Sequence, residues 1–238
     1  MEIEYTVVGA GYSGLMCYKS LIDKGFDAII FEMREVGGEL SIFSKLPEFR
    51  QHYEQFISEM AELKEEVVVE FGTVVKTKPV IVTANESVKR LDSKNILLCT
   101  GAADKNPVKS MIIKNKMKGV YTLDNALKSL ASGLKIGEKI LMIGDDEIVK
   151  IAENQFNELE YDVEVISHDD FQIKGKNRVE SVEVGGDEYR CDTLIICVGR
   201  ETFNPLKLKG MPVGNAKVCT YDYRDVKEDV KRFISSLK

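Results

Sequence analysis

The chain has 238 residues, 44% hydrophobic and 30% charged, enough for one large domain or two smaller ones with buried cores. A net charge of −6 argues against nucleic acid or an anionic membrane surface as the main partner, and no apolar run reaches the ~20 residues needed for membrane insertion. Five cysteines without CxxC spacing read as reduced thiols; with only His52 and His168, neither a metal site nor a Cys/His nucleophile pair is expected.

Met1-Glu-Ile-Glu-Tyr5 opens with acids and runs directly into a strand, so no signal peptide is expected and the protein reads as cytoplasmic. The strand covers Ile3 to Val8. Gly9-Ala-Gly-Tyr-Ser-Gly14 follows, then a helical stretch from Leu15 to about Asp23, ended by Gly25. A second strand, Ala28 to Phe31, carries Glu32 at its end, 18 positions beyond Gly14. In such a βαβ unit the first glycine makes the tight turn, the second admits phosphate to the backbone, and the third lets helix and strand pack closely. The helix N-terminus adds amide donors and a partial positive charge. Glu32 suits both ribose hydroxyls and disfavours a 2′-phosphate. Gly9, Gly11, Gly14 and Glu32 are therefore candidate dinucleotide contacts; the alternative is a purely structural glycine turn.

A Gly37-Gly38 pair comes next, then a helix from Arg50 to Glu62 and short strands at Val67–Phe71, Val74–Val75 and Val80–Thr83. The apolar strand from Asn95 ends in Thr100-Gly101. Lys105, Lys109, Lys114, Lys116 and Lys118 form a basic run, read as a solvated loop and strand edge, with docking of an acidic partner as the alternative. A helix near Thr122–Ser129 and a strand at Lys139–Ile143 lead into Gly144-Asp145-Asp146-Glu147. The helix Glu147–Glu158 and strand Asp162–Ile166 complete a second βαβ plan. A hairpin then pairs Arg178–Val184 with Tyr189–Val198 across Gly185-Gly186, ending at Gly199. Pro107 and Asn204-Pro205 suit hinges. From Tyr223 to Leu237, Val226, Val230, Phe233, Ile234 and Leu237 make one apolar helical stripe, expected to pack on the first domain, with Asp222 and Asp225 at its start.

The second turn has acids where glycines would admit phosphate. Two unit charges ~4 Å apart repel by about 1 kcal/mol in bulk water and about 4 kcal/mol at an effective dielectric of ~20. Acids in a first helical turn also stabilise the helix, by about 0.3–1 kcal/mol each. The turn is therefore expected to be capped by its own carboxylates and to have lost ordinary NAD(P)H binding. The alternatives are a rearranged binding mode, or a metal bridging the acids and the phosphate.

The pieces "VVGAGYSGL", "IIFE", "GGEL", "ILLCTGA", "ILMIGDDEI", "DVEVI" and "DTLIICVGR" occur in order along nearly the whole chain. In them the chain resembles the FAD/NAD(P)-linked flavoproteins of the pyridine nucleotide-disulfide reductase superfamily, in its thioredoxin-reductase-like branch. The resemblance implies an α/β fold of two Rossmann-like dinucleotide-binding domains: an FAD domain over 1–106 and 200–238, with a smaller NAD(P)H-domain-like module inserted at 107–199. It places FAD contacts on Gly9, Gly11, Tyr12, Ser13 and Gly14 of the first turn, and on Glu32, Met33, Gly37 and Gly38 after it. Val75, Thr100, Gly101, Gly214 and Asn215 would supply the rest. Gly214-Asn215 stands where the family usually has Gly-Asp. With the tail that follows, it is most similar to flavoproteins encoded beside glycerol-3-phosphate dehydrogenases; Asn can both donate and accept there.

The family's dithiol is missing. Cys191 and Cys197 flank a strand core, ~20 Å apart if extended, and cannot pair without a break in that strand. The expected function is an FAD-binding oxidoreductase passing electrons between flavin and a partner, which is a redox protein, a dehydrogenase subunit or a small acceptor. The alternatives are an NADH-dependent thioredoxin-reductase-like reductase and a degenerate FAD-binding module without turnover. No general base stands out; His52 could approach a flavin, but a lone histidine is more often a surface or core residue. An oligomer stays open.

Overall fold

The computed structural model describes residues 2–85, 87–109, 113, 117–167 and 170–237, so Lys114 and Lys116 of the basic run, and His168, lie outside the described residues. Strand β1 (Glu2–Val8), helix α1 (Tyr12–Asp23) and strand β2 (Ala28–Glu32) form the expected first βαβ unit. Three helices follow: α2 (Glu39–Phe43), α3 (Pro47–His52) and α4 (Glu54–Glu66). The sequence suggests one helix from Arg50 to Glu62. Pro47 instead starts a short helix of its own, because its fixed φ and missing N–H suit a first helical turn. Tyr53 then interrupts the run, its buried ring stacked 4.8 Å from that of Phe43.

The chain continues through β3 (Glu70–Phe71), β4 (Thr73–Thr77), β5 (Val80–Ala84), β6 (Ser87–Leu98) and β7 (Ala102–Asp104). Strand β6 is much longer than its apolar end at Asn95 suggests. Its polar first half pairs antiparallel with β5, from Ala84↔Ser87 to Val80↔Leu91. Next come β8 (Val120–Thr122), α5 (Leu123–Ala131), β9 (Lys139–Ile143), α6 (Glu147–Glu158) and β10 (Asp162–Ile166). The remaining elements are β11 (Phe171–Lys174), β12 (Ser181–Val184), β13 (Asp187–Arg190), β14 (Thr193–Ile196), β15 (Arg200–Thr202), β16 (Met211–Pro212), α7 (Asn215–Val218) and α8 (Tyr223–Ser236). The hairpin turns at Gly185-Gly186 as expected, with Val184 opposite Asp187. Its second arm ends at Arg190, because residues 193–196 leave it to join a parallel sheet as β14. No described helix is long and apolar enough to cross a membrane.

The residues gather into two compact units, and the architecture is mixed α/β with parallel and antiparallel pairing. The first unit takes residues up to Ser41, Glu54–Ala103 and the chain from Glu201 on. Its sheet runs β3-β2-β1-β6-β5-β4, with β16 added to β6. Strands β3, β2, β1, β6 and β16 pair in parallel, and their C-terminal ends point the same way. Val8, Phe31, Val74, Val82, Ile96 and Leu98 form a core on one side of this sheet. On α8, Val226 and Val230 are completely buried, as the stripe implies.

The second unit takes Asp104–Arg200 and also Ile42–Tyr53. The division drawn from sequence motifs, at 106/107 and 199/200, lies close to two of these boundaries but does not separate out 42–53. That segment joins the second unit because α3 packs on α6, where the backbone N–H of Glu48 donates to the buried Gln155 Oε1 at 3.1 Å. The unit's parallel sheet has the order β10-β9-β14-β8, beside the antiparallel β11-β12-β13.

A buried charge cluster secures the start of this unit. Asp104 and Asp124 exchange backbone donors, Asp104 N–H to Asp124 Oδ2 at 2.9 Å and Asp124 N–H to Asp104 Oδ2 at 2.7 Å. Arg200 lies 3.9 Å from the first carboxylate and 3.7 Å from the second. Replacing Arg200 with Ala leaves two buried carboxylates without their cation, which costs about 3–5 kcal/mol. Urea denaturation of Arg200→Ala should show that loss; an unchanged midpoint would contradict it.

Candidate functional site

In the first unit the cleft lies at the C-terminal ends of β1, β2 and β6, where open α/β sheets bind ligands. The turn between β1 and α1 is built on two kinds of glycine. A Cβ on Gly14 would collide with the carbonyl oxygen of Gly9, and a Cβ on Gly9 (φ +101°) would lie 2.6 Å from the carbonyl oxygen of Cys99. Helix, turn and the end of β6 therefore rest directly on one another. Gly11 is the opposite case: a Cβ there would meet only the Cα of Gly38, at 3.8 Å. It is the N-cap of α1, and no side chain caps the amides of the first turn. This is the open approach that an anion needs.

The Gly37-Gly38 pair braces the turn from outside. The Gly37 N–H donates to the Ala10 carbonyl at 2.8 Å, and a Cβ on Gly38 would come to 3.1 Å from the Gly11 Cα. Glu32 is oriented by two backbone donors, Ala10 N–H to Oε2 at 2.8 Å and Arg34 N–H to Oε1 at 2.9 Å. Beside it is a cavity of about 100 Å³ lined by Val8, Gly9, Glu32, Met33, Val74 and Thr100, with residues 203–206 and Leu208 on its far wall. The Thr100 hydroxyl is buried without a hydrogen-bond partner. An orphaned buried hydroxyl beside an oriented carboxylate and an open helix N-terminus fits a polar ligand such as the ribose and phosphates of a dinucleotide.

The other sequence candidates fall around this cleft. Gly101 does not line it; its carbonyl accepts from Phe203 N–H at 3.0 Å and so positions the far wall. Val75 is 41% exposed and off the cavity, because a register shift on β4 leaves Val74 facing inward. Asn204, in the segment that reads as a hinge, closes a loop on Leu208 with two hydrogen bonds of 2.8 and 2.9 Å. Gly214 and Asn215 do reach the first turn: Asn215 N–H donates to Ser13 Oγ at 3.2 Å. They are held by a residue that the stripe pattern hides. Asp229, buried on α8, accepts from Gly214 N–H at 2.9 Å and from Lys217 Nζ at 2.6 Å. Only its spacing from Val226 and Val230, which puts an acid on a buried helical face, signals it.

Tyr12 faces away from the cavity. Its ring lies edge-on to Phe56 and Tyr223, at 5.9 and 5.8 Å, and its hydroxyl donates to Glu59. Burial, then the hydrogen bond to Glu59, pushes the Tyr12 phenol up. Burial also pushes the Glu59 carboxyl up, but hydrogen bonds from Lys227, Tyr12 and Gln55 outweigh it and hold the group below its ordinary range.

In the second unit, Asp146 stands at the N-cap of α6 with extended backbone, yet its side chain makes no capping hydrogen bond. Asp145 instead accepts from the Ser167 hydroxyl at 3.2 Å, because the end of β10 offers it a donor. The expected self-capping is thus corrected. The turn opens on a cavity of about 600 Å³ whose lining includes Asp145, Asp146 and Asp170. Val149 takes the position corresponding to Gly14, its Cγ2 only 3.0 Å from where a Cβ on Gly144 would lie. No group of metal-ligating side chains is found among the described residues.

All five cysteines are free. Cys17 and Cys99 meet beneath the first turn, a pairing that their separation in sequence conceals. A hydrogen bond with Cys17, and then burial, push the Cys99 thiol up. Burial, followed by Asp192, pushes Cys191 up to about 11, and burial with Asp104 raises Cys197. Raised thiols are poor nucleophiles near neutral pH.

No protein-family model matches the chain, and no curated protein matches it. Solved structures do. The L-proline dehydrogenase from P. horikoshii superposes with a TM-score of 0.63 at 20% identity over 86% of this chain, which spans 44% of the length of that protein. The HOCl-induced flavoprotein disulfide reductase RclA from Escherichia coli gives 0.60 at 13% identity, over 98% of this chain and 71% of that one. The thioredoxin reductase from Lactococcus lactis gives 0.57 at 13% identity, covering 99% of this chain and 100% of its own. The chain has the fold of the pyridine nucleotide-disulfide oxidoreductases.

Two outcomes follow from this geometry. Gly14→Ala forces α1 off its turn and should destabilise the protein by about 1–3 kcal/mol, whereas Gly11→Ala enters open space and should change stability by less than about 0.5 kcal/mol. Equal losses in thermal denaturation would refute the distinction. Because the Glu59 carboxyl is held low in the folded state, its contribution is present above the ordinary Glu range and is lost as pH falls through the folded-state value. Glu59→Gln should therefore flatten the acid limb of the melting-temperature profile, and an unchanged acid limb would contradict this.

Proposed function

We propose that this protein is an FAD-binding oxidoreductase that exchanges electrons with a redox protein, a dehydrogenase subunit or a small acceptor, without a dithiol relay and without ordinary NAD(P)H docking at its second turn. The observation that carries the reading is the convergence, in one cleft, of an open Gly11 approach, the oriented carboxylate of Glu32 and the unpartnered Thr100 hydroxyl. The amides at the start of α1 and the Gly11 backbone would hold the pyrophosphate, and Glu32 the ribose hydroxyls, with Met33 and Val74 flanking the nucleoside. Gly214 and Asn215, secured by Asp229 and Ser13, are available to the rest of the cofactor. FAD supplies the redox chemistry when bound; the chain supplies binding, orientation and exclusion of water. The flavoprotein among the similar folds supports the same reading.

At the second turn, Asp146 stands at the N-cap of α6, as Gly11 does on α1, and three aspartates line the cavity. Their repulsion of a diphosphate opposes binding. One observation favours a second reading. Because no described carboxylate caps α6, its first-turn amides remain available, and with the acids turned outward the protein would act as an NADH-dependent reductase.

The visible spectrum decides between them. Protein reconstituted with FAD should be yellow and keep its colour under anaerobic NADH. Bleaching by NADH would establish the second reading, and failure to take up FAD would sink both. Gly11→Ala should fold normally yet bind FAD at least about tenfold more weakly, a loss of about 1.4 kcal/mol.

A further inference from the structure

Outside the cofactor cleft, the first unit carries a second trough of about 450 Å³, a size typical of small-molecule sites. Its floor is apolar, built from Tyr5, Ile96, Leu97, Met211, Phe233 and Leu237. Its remaining side chains are Asn95 and three lysines, Lys78, Lys94 and Lys209, and no acid among the described residues lines it. The trough exists because two elements end early. Strand β16 pairs with β6 only at Met211↔Leu97 and Pro212↔Leu98. The stripe of α8 is completely buried at Val226 and Val230 but only half-buried at Phe233 and Leu237. Met211 is left 54% exposed between them.

The charged side chains that line the trough are all of one sign. Lys19, Lys89, Lys217 and Lys227 of the same unit each lie against a carboxylate. Lys78, Lys94 and Lys209 have no such partner among the described residues. Three unpaired ammonium groups around one apolar trough, on a chain of net charge −6, complement a ligand with an anionic head and an apolar tail.

We propose that this trough binds an anionic amphiphile, its tail along Met211, Phe233 and Leu237 and its carboxylate or phosphate head among Lys78, Lys94 and Lys209. The site is separate from the nucleotide cleft, so its occupancy does not depend on FAD.

Calorimetric titration of the intact protein with decanoate, decyl phosphate, decanol and decyltrimethylammonium tests this. One equivalent of an anionic amphiphile should bind, more weakly as salt is raised, and the cationic one should not. Tighter binding of decyl phosphate would mark a phosphorylated head as the natural source, and tighter binding of decanoate a fatty carboxylate. The combined variant Lys78→Gln/Lys94→Gln/Lys209→Gln should bind decanoate about tenfold more weakly, as expected when three exposed ion pairs are lost. Met211→Glu, an exposed position where folding is little affected, should prevent binding. Equal affinity for the cationic amphiphile, or an unchanged affinity in the triple lysine variant, would overturn the proposal. So would sedimentation with anionic vesicles when no monomeric amphiphile binds, since that points to a lipid surface.

Discussion

The first unit depends on a place where no side chain fits. With nothing but hydrogen on Gly14, α1 can lie against the Gly9 carbonyl, and Gly9 in turn against the end of β6. That close stacking brings the start of α1, the Thr100 hydroxyl and Glu32 to one cleft. It also sets Tyr12 and Ser13 where they can reach the rest of the unit, Tyr12 through Phe56, Glu59 and Tyr223, and Ser13 through Asn215. The candidate residues at the turn thus divide their work. Gly9 and Glu32 line the cleft and Gly11 leaves the start of α1 open, while Tyr12 and Ser13 tie the turn to the rest of the unit.

The second unit shows what the same βαβ plan becomes without that close approach. Val149 fills the space that Gly14 leaves, and acids stand where the chain would otherwise present bare backbone. The result is a wider cavity lined by three aspartates, against a narrow one whose single carboxylate is engaged by two amides. The two clefts differ in the number of acids that line them, one in the first and three in the second.

Much of this was legible in the sequence because it rests on short-range patterns. The glycine spacing, the strand–helix alternation and the stripe at Val226 and Val230 each follow from local periodicity. What stayed hidden depends on partners far along the chain. The first half of β6 is polar and becomes a strand only by pairing with β5. Asp229 reads as an ordinary helix-surface acid until Gly214 is placed over it. Val75 and Val74 differ only through a register shift, and the carboxylate of Asp145 is drawn aside by Ser167, 22 residues later. Charge at a helix start is visible in a sequence; the donor that claims it is not.

The grouping of Ile42–Tyr53 with Asp104–Arg200 has a consequence for dissecting the protein. The second unit is not one contiguous insert, so excising it at its two obvious boundaries would strand α3 and leave the rings of Phe43, Phe49 and Tyr53 without the α6 surface that covers this segment. Conversely, an isolated 104–200 fragment would expose Gln155 and the apolar flank of α6 to water. Any minimal version of either half has to be designed as a chain with spliced ends, not as a simple truncation.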